Sequence, residues 1–133
     1  MRKLLVVDDD EMMRICVTAI LTTLGFDIVE AKDGLEALLV FQARRDEISL
    51  TIMDIMMPRM DGIAATKVIK ASDPSAKVIL MSGHSELDPT EAQADAFIPK
   101  PFRGRDLLAL VQRVLQDDRP VPWVTAQQPQ NFA

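Results

Sequence analysis

Five short segments, at positions 3–7, 26–31, 48–53, 77–81 and 96–98, alternate along the chain with stretches whose apolar residues recur at helical spacing. A strand covered on both faces reads as an unbroken apolar run, whereas a strand with a wet face alternates. By that rule KLLVV, ISLTIM and KVILM predict interior strands, and FDIVEA predicts a strand near an edge. Strands separated by helices demand parallel pairing with right-handed crossovers. The expected fold is therefore α/β, a doubly wound five-stranded parallel sheet with helices on both faces. Such sheets take their ligands outside the carboxyl ends of the strands, so the residues at those ends matter most.

The helical segments carry their own punctuation. Met13, Cys16, Val17, Ile20 and Leu24 predict the buried stripe of a first helix, with Cys16 as packing, and Gly25 ends it. Asp33 with Glu36 forms a capping-box-like start to a helix over 35–43, with Leu35, Leu38, Leu39 and Gln42 facing or bordering the core. Asp61 opens a third helix to about residue 71, before the Asp73-Pro74 break. The stretch 89–94 predicts a weak helix at best. The last helix, 104–116, presents Leu107, Leu108, Val111, Val114 and Leu115.

A chain of 133 residues, 48% of them hydrophobic, suits one domain, expected over 1–116. From 117 to 133, DDRPVPWVTAQQPQNFA replaces periodicity with Pro and Gln and reads as a tail or truncated linker that holds the only tryptophan, Trp123. A net charge of −5 without clustered Lys and Arg argues against direct nucleic-acid binding. One cysteine excludes an internal disulfide. The apolar run at 4–7 is too short for a signal peptide and no stretch approaches membrane-spanning length, so the expected location is the cytoplasm, without membrane insertion.

The strand ends converge on one chemistry. The first delivers Asp8 and Asp9, the third Asp54, the fourth Ser82 and the fifth Lys100. Asp54 is surplus to folding, because Asp61 is better placed to cap the next helix. Three carboxylates brought together repel unless a cation is present. Oxygen donors without His or Cys favour magnesium, with manganese possible, over zinc; magnesium commonly combines one or two carboxylates with a phosphate oxygen. An Asp beside such an ion can act as a nucleophile toward phosphorus, while the lysine offsets charge on the transferring oxygens.

In VVDDD at 6–10, MDIMMPRMDG at 53–62, ILMSGH at 79–84 and FIPKPF at 97–102, the chain resembles the receiver domain of two-component response regulators over about residues 2–116. The resemblance implies a flavodoxin-like sheet of order 2-1-3-4-5. It implies Asp54 as phosphoacceptor, magnesium held by Asp9, Asp54 and the Met56 main-chain carbonyl with Asp8 assisting through water, and phosphoryl contacts from Ser82 and Lys100. It also implies a cis Lys100-Pro101 bond and a switch that pairs Ser82 with Phe97. The implied partner is a histidine kinase or a histidine phosphotransfer protein, and the implied state is a monomer or a phosphorylation-dependent dimer. Met12, Ile15 and Ala19, on another face of the first helix, resemble the surface on which such partners dock.

Two departures from the family pattern stand out. Fewer residues separate Ser82 from Lys100 than the family leads one to expect, by about one helical turn of roughly 3.6 residues. The fourth helix is accordingly expected to be short, irregular or absent, which puts the family's usual output face in doubt. Gln93 stands where a helix-ending glycine is expected, which predicts a different entry into the fifth strand. Met56 and His84 flank the path of the hydrolytic water and suit its orientation poorly, so the expectation is a phosphoacceptor with slow self-dephosphorylation rather than an enzyme. The alternatives are a magnesium-dependent phosphatase, a receiver-like interaction module that is never phosphorylated, and the front end of a longer regulator.

Overall fold

A computed structural model describes residues 2–83 and 89–116. Strands β1 (Lys3–Val7), β2 (Asp27–Ala31), β3 (Ile48–Asp54), β4 (Val78–Ser82) and β5 (Ala96–Pro99) form one sheet of order β2-β1-β3-β4-β5, parallel at every pairing. Helices α1 (Glu11–Thr22), α2 (Gly34–Arg44), α3 (Gly62–Ser72) and α4 (Gly104–Gln116) cover it. The expected edge strand is β2, and the order reverses between β1 and β3. This places the tips of those two strands side by side.

Because successive side chains of a strand point to opposite faces, each apolar run feeds two cores. Leu4, Val6, Ile52 and Ile79 meet Val17 and Leu21 of α1 and Leu107, Leu110 and Val114 of α4. Leu5, Val7, Met53 and Leu80 meet Ala37 and Phe41 of α2 and Ala65 and Ile69 of α3. Asp10, Asp33 and Asp61 cap three helices by accepting from the main-chain N–H groups of Met12, Glu36 and Ala64 respectively. Each such cap is worth about 1 kcal/mol.

Two helix faces differ from expectation. Cys16 is exposed, and the α1 stripe is instead Met13, Val17, Ile20, Leu21 and Leu24. At about 100° per residue Cys16 lies roughly a quarter-turn from the centre of that stripe. In α2 the buried residues are Gly34, Ala37 and Phe41, with Leu38 half-buried; Leu35, Leu39 and Gln42 are exposed. The helix is rotated by its first residue, since a Cβ on Gly34 would lie 2.4 Å from the Met60 carbonyl oxygen. Gly34 must face that loop, and Leu39 is turned outward with 66% of its surface exposed. Leu110 joins the buried face of α4, while Leu108 and Leu115 pack at its margin.

Between β4 and β5 the described residues hold one turn of 3₁₀ helix, Pro89–Ala92, in place of a full helix. Two ion pairs tie this connection to α3, Lys67 to Glu91 at 2.7 Å and Lys70 to Asp95 at 2.6 Å, and the Asp95 carboxylate also accepts from the Val78 N–H. Gln93 has φ +59°, so the glutamine itself adopts the left-handed conformation that a glycine would adopt without strain. His84 and the whole tail, with Trp123, lie outside the described residues.

Candidate functional site

The site is assembled where β1, β3, β4 and β5 end. Asp8 follows β1 directly, with its N–H donating to the Ala31 carbonyl at 3.2 Å and its Oδ1 accepting from the Asp10 N–H at 3.0 Å. Asp54 is the last residue of β3. Ile55 N–H donates to the Met81 carbonyl at 2.9 Å, which fixes the exit of that strand against β4. Gly62 lets α3 begin close beneath it, since a Cβ there would stand 2.3 Å from the Asp54 carbonyl oxygen. Lys100 N–H donates to the Ser82 carbonyl at 2.8 Å, and the Lys100-Pro101 bond is cis.

These constraints bring the side chains together. Lys100 Nζ lies 3.0 Å from Asp8 Oδ2 and 3.2 Å from Asp54 Oδ1. One carboxylate oxygen each from Asp8, Asp9 and Asp54 falls within 4.8 Å of the other two. Asp8, Asp54 and Ser82 are buried, while Asp9 opens the cluster to solvent. Burial raises the Asp54 carboxyl pKa from its ordinary value; the Lys100 ammonium opposes that, and repulsion from Asp8 and Asp9 adds to it. Burial alone would lower Lys100, but its hydrogen bond to Asp8 and the attraction of Asp54 outweigh that and raise it.

One ammonium, paired with Asp8 and Asp54, beside a cluster of three carboxylates leaves two formal negative charges unbalanced, and a divalent cation would neutralise them. The all-oxygen donor set and its spacing fit a small hard ion such as magnesium or manganese. The sequence expectation that Asp8, Asp9, Asp54 and Lys100 share one site therefore matches the geometry, with Ser82 on the adjoining strand tip. Met56 stands two residues beyond Asp54 with its side chain exposed. Phe97 is half-buried against the core on the α2–α3 side. Met12 and Ile15 are exposed by 66% and 52%, and Ala19 is exposed beside them.

Two supporting residues escape the sequence reading. Arg14 Nη1 donates to the Asp8 carbonyl at 2.7 Å while its Nε pairs with Glu30 at 3.2 Å, so one guanidinium holds the main chain behind the acid pair. Both partners lie outside α1, so spacing along that helix does not announce them. Arg59 pairs with Asp33 across the top of α2, a contact between loops that no local pattern announces.

The comparisons with known proteins agree with this geometry. Residues 4–112 match the response regulator receiver domain family. The chemotaxis protein CheY of Bacillus subtilis is 37% identical over 118 residues, covering 85% of this chain and 97% of that protein. The transcriptional regulatory protein CpxR of Escherichia coli is 34% identical over 119 residues, which is 87% of this chain and 50% of CpxR. The chain thus spans about half the length of that regulator. Among solved structures, a receiver domain protein from Clostridium thermocellum aligns with TM-score 0.81 at 26% identity, over 87% of this chain and 95% of that one. CheY in the CheX-CheY-BeF3-Mg complex of Borrelia burgdorferi aligns with TM-score 0.79 at 35% identity, over 85% and 88%.

Proposed function

The chain belongs to the response regulator receiver domain family, and from that premise we propose that it is a signalling switch in which Asp54 accepts a phosphoryl group from a histidine kinase or a histidine phosphotransfer protein. The observation that carries this reading is the enclosure of the Asp54 carboxylate by Asp8, Asp9 and the Lys100 ammonium at one sheet end. An Asp54 oxygen attacks the phosphorus of a phosphohistidine, a P–O bond forms as the P–N bond breaks, and the departing imidazole keeps the electron pair. Lys100, poised between Asp8 and Asp54, offsets charge on the phosphoryl oxygens, and Ser82 hydrogen-bonds one of them from the tip of β4.

Asp9, Asp54 and the Met56 carbonyl would hold magnesium, or manganese in its place, with Asp8 acting through water; the ion supplies neutralisation of the gathered acids and of the transferring group. A structural neighbour solved with Mg supports that choice. Movement of Ser82 toward the phosphoryl group vacates space that Phe97 fills by packing alone, since it carries no hydroxyl. Met12, Ile15 and Ala19 form the surface on which the phosphodonor protein docks. Residues 1–116 act as the receiver domain and 117–133 as tail or linker, with an output that CpxR-like and CheY-like relatives fill differently. Met56 orients water poorly, so the acyl phosphate is long-lived.

Incubation with Mg2+ and a small acyl phosphate, followed by intact mass measurement, tests the proposal. The expected result is one phosphoryl addition that persists over the following time points and is absent in Asp54→Asn. No addition in the parent would favour an interaction module that is never phosphorylated, a reading supported by the single 3₁₀ turn that the described residues between β4 and β5 hold. Continuous phosphate release from unrelated esters would favour a phosphatase.

A further inference from the structure

The loop that leaves Asp54 contains a strained turn that its own sequence does not require. Met60 N–H donates to the Pro58 carbonyl at 2.7 Å, two residues back, and the residue between them, Arg59, has φ +67°. An i→i+2 bond around a central residue of positive φ is the rarer hand of γ-turn, costly for any residue with a Cβ. Such a conformation persists only where its surroundings over-determine it. Here they do so from α2. The Arg59 guanidinium reaches Asp33 with Nε 3.1 Å from Oδ2 and Nη2 3.4 Å from Oδ1, and Asp33 is 4% exposed. Gly34 N–H donates to the Met60 carbonyl at 3.2 Å, in contact too close for a Cβ. The same Asp33 caps α2 through the Glu36 N–H.

We propose that Arg59 is a positioning residue for phosphoryl acceptance: its two-pronged clamp on Asp33 fastens the 55–61 loop to the start of α2 and so pre-sets the Asp54 and Met56 donors for the divalent ion. This rests on the reading of Asp54 and its metal given above. The strained turn lies in the segment that must hold a main-chain carbonyl and a carboxylate in fixed relation, and unlike Gln93 its central residue carries a side-chain tie to another element. A two-pronged guanidinium–carboxylate pair fixes direction as well as distance, which a lysine at the same place could not do.

The test separates the clamp from the backbone strain. Arg59→Gly removes the guanidinium but welcomes a positive φ, Arg59→Ala removes the guanidinium and keeps the strain, and Arg59→Lys keeps the charge without the fork. We expect Arg59→Gly to unfold at or above the parent's thermal midpoint yet to bind Mg2+ at least threefold more weakly, with Arg59→Ala weaker still and Arg59→Lys between Gly and the parent. In the metal-free protein, the amide hydrogens of Gly34 and Met60 should exchange at least fivefold faster in all three variants. Parental Mg2+ affinity in Arg59→Gly or Arg59→Ala, measured where circular dichroism shows the fold intact, overturns the proposal whatever the midpoint does. Parental amide protection overturns it equally. If the parent itself neither binds Mg2+ nor gains a phosphoryl group, the functional reading fails instead, and the exchange data alone then decide whether the clamp exists.

Discussion

The two ends of the sheet handle charge in opposite ways. At the amino ends of the strands, charges are matched: Lys3 lies 3.8 Å from Asp27 and 4.0 Å from Glu47, and Lys77 donates to the Val114 carbonyl at 2.9 Å, at the negative end of the α4 dipole. At the carboxyl ends three acids gather, and the two that are buried share one lysine. One end is arranged for stability. The other holds like charges together at a cost, and that cost marks the place where a cation and an anionic group belong.

The largest test of this contrast is Lys100→Ala. Removing one partner from a buried ion cluster strands the others, and with Lys100 about one-fifth exposed (21%) we expect a loss of about 2–3 kcal/mol in urea unfolding without metal at neutral pH, at or below the lower end of the usual range. Added Mg2+ should restore part of it. A variant as stable as the parent would mean that the acids are not held against repulsion at all.

Next in size is Asp54→Asn. The folded-state pKa of Asp54 is raised above its unfolded value, so its contribution to stability is full below the unfolded pKa and is lost as pH rises through the folded one. The metal-free parent should therefore be less stable than Asp54→Asn at neutral pH, and the gap should close on acidification through the carboxylate range. Unfolding curves over pH without metal measure this; a gap that widened on acidification would reverse the sign and break the argument.

The smallest effect belongs to the opposite end. Lys77→Ala removes a hydrogen bond and a favourable dipole contact, which costs about 0.5–1 kcal/mol. It should leave Mg2+ affinity untouched, and a change in that affinity would mean that the two ends are not independent.

Most of the fold was legible because strands buried on both faces write themselves as apolar runs, and because Asp33 and Asp61 mark helix starts. The site was legible for the same reason: a doubly wound sheet sends its strand tips to one place, so Asp8, Asp9, Asp54, Ser82 and Lys100 could be gathered from their positions alone. Helix rotation was not. Leu35 and Leu39 mimic a buried stripe, but contact between Gly34 and Met60, residues far apart in sequence, sets how α2 turns. Cys16 failed for a related reason, since helical spacing admits neighbouring stripes and only packing against α4 and the sheet chooses between them. The Arg59–Asp33 clamp and the Arg14 hold on Asp8 are likewise tertiary, and Gln93 takes a left-handed backbone that glutamine rarely adopts.

The central claim, that acids from two adjacent strand tips share one divalent ion, is tested most directly by calorimetric titration of Mg2+ into the parent, Asp9→Asn and Asp54→Asn. The account predicts one ion per chain in the parent and at least a tenfold weaker constant in each variant separately. Parental affinity in either variant would show that the ion, if bound, sits elsewhere.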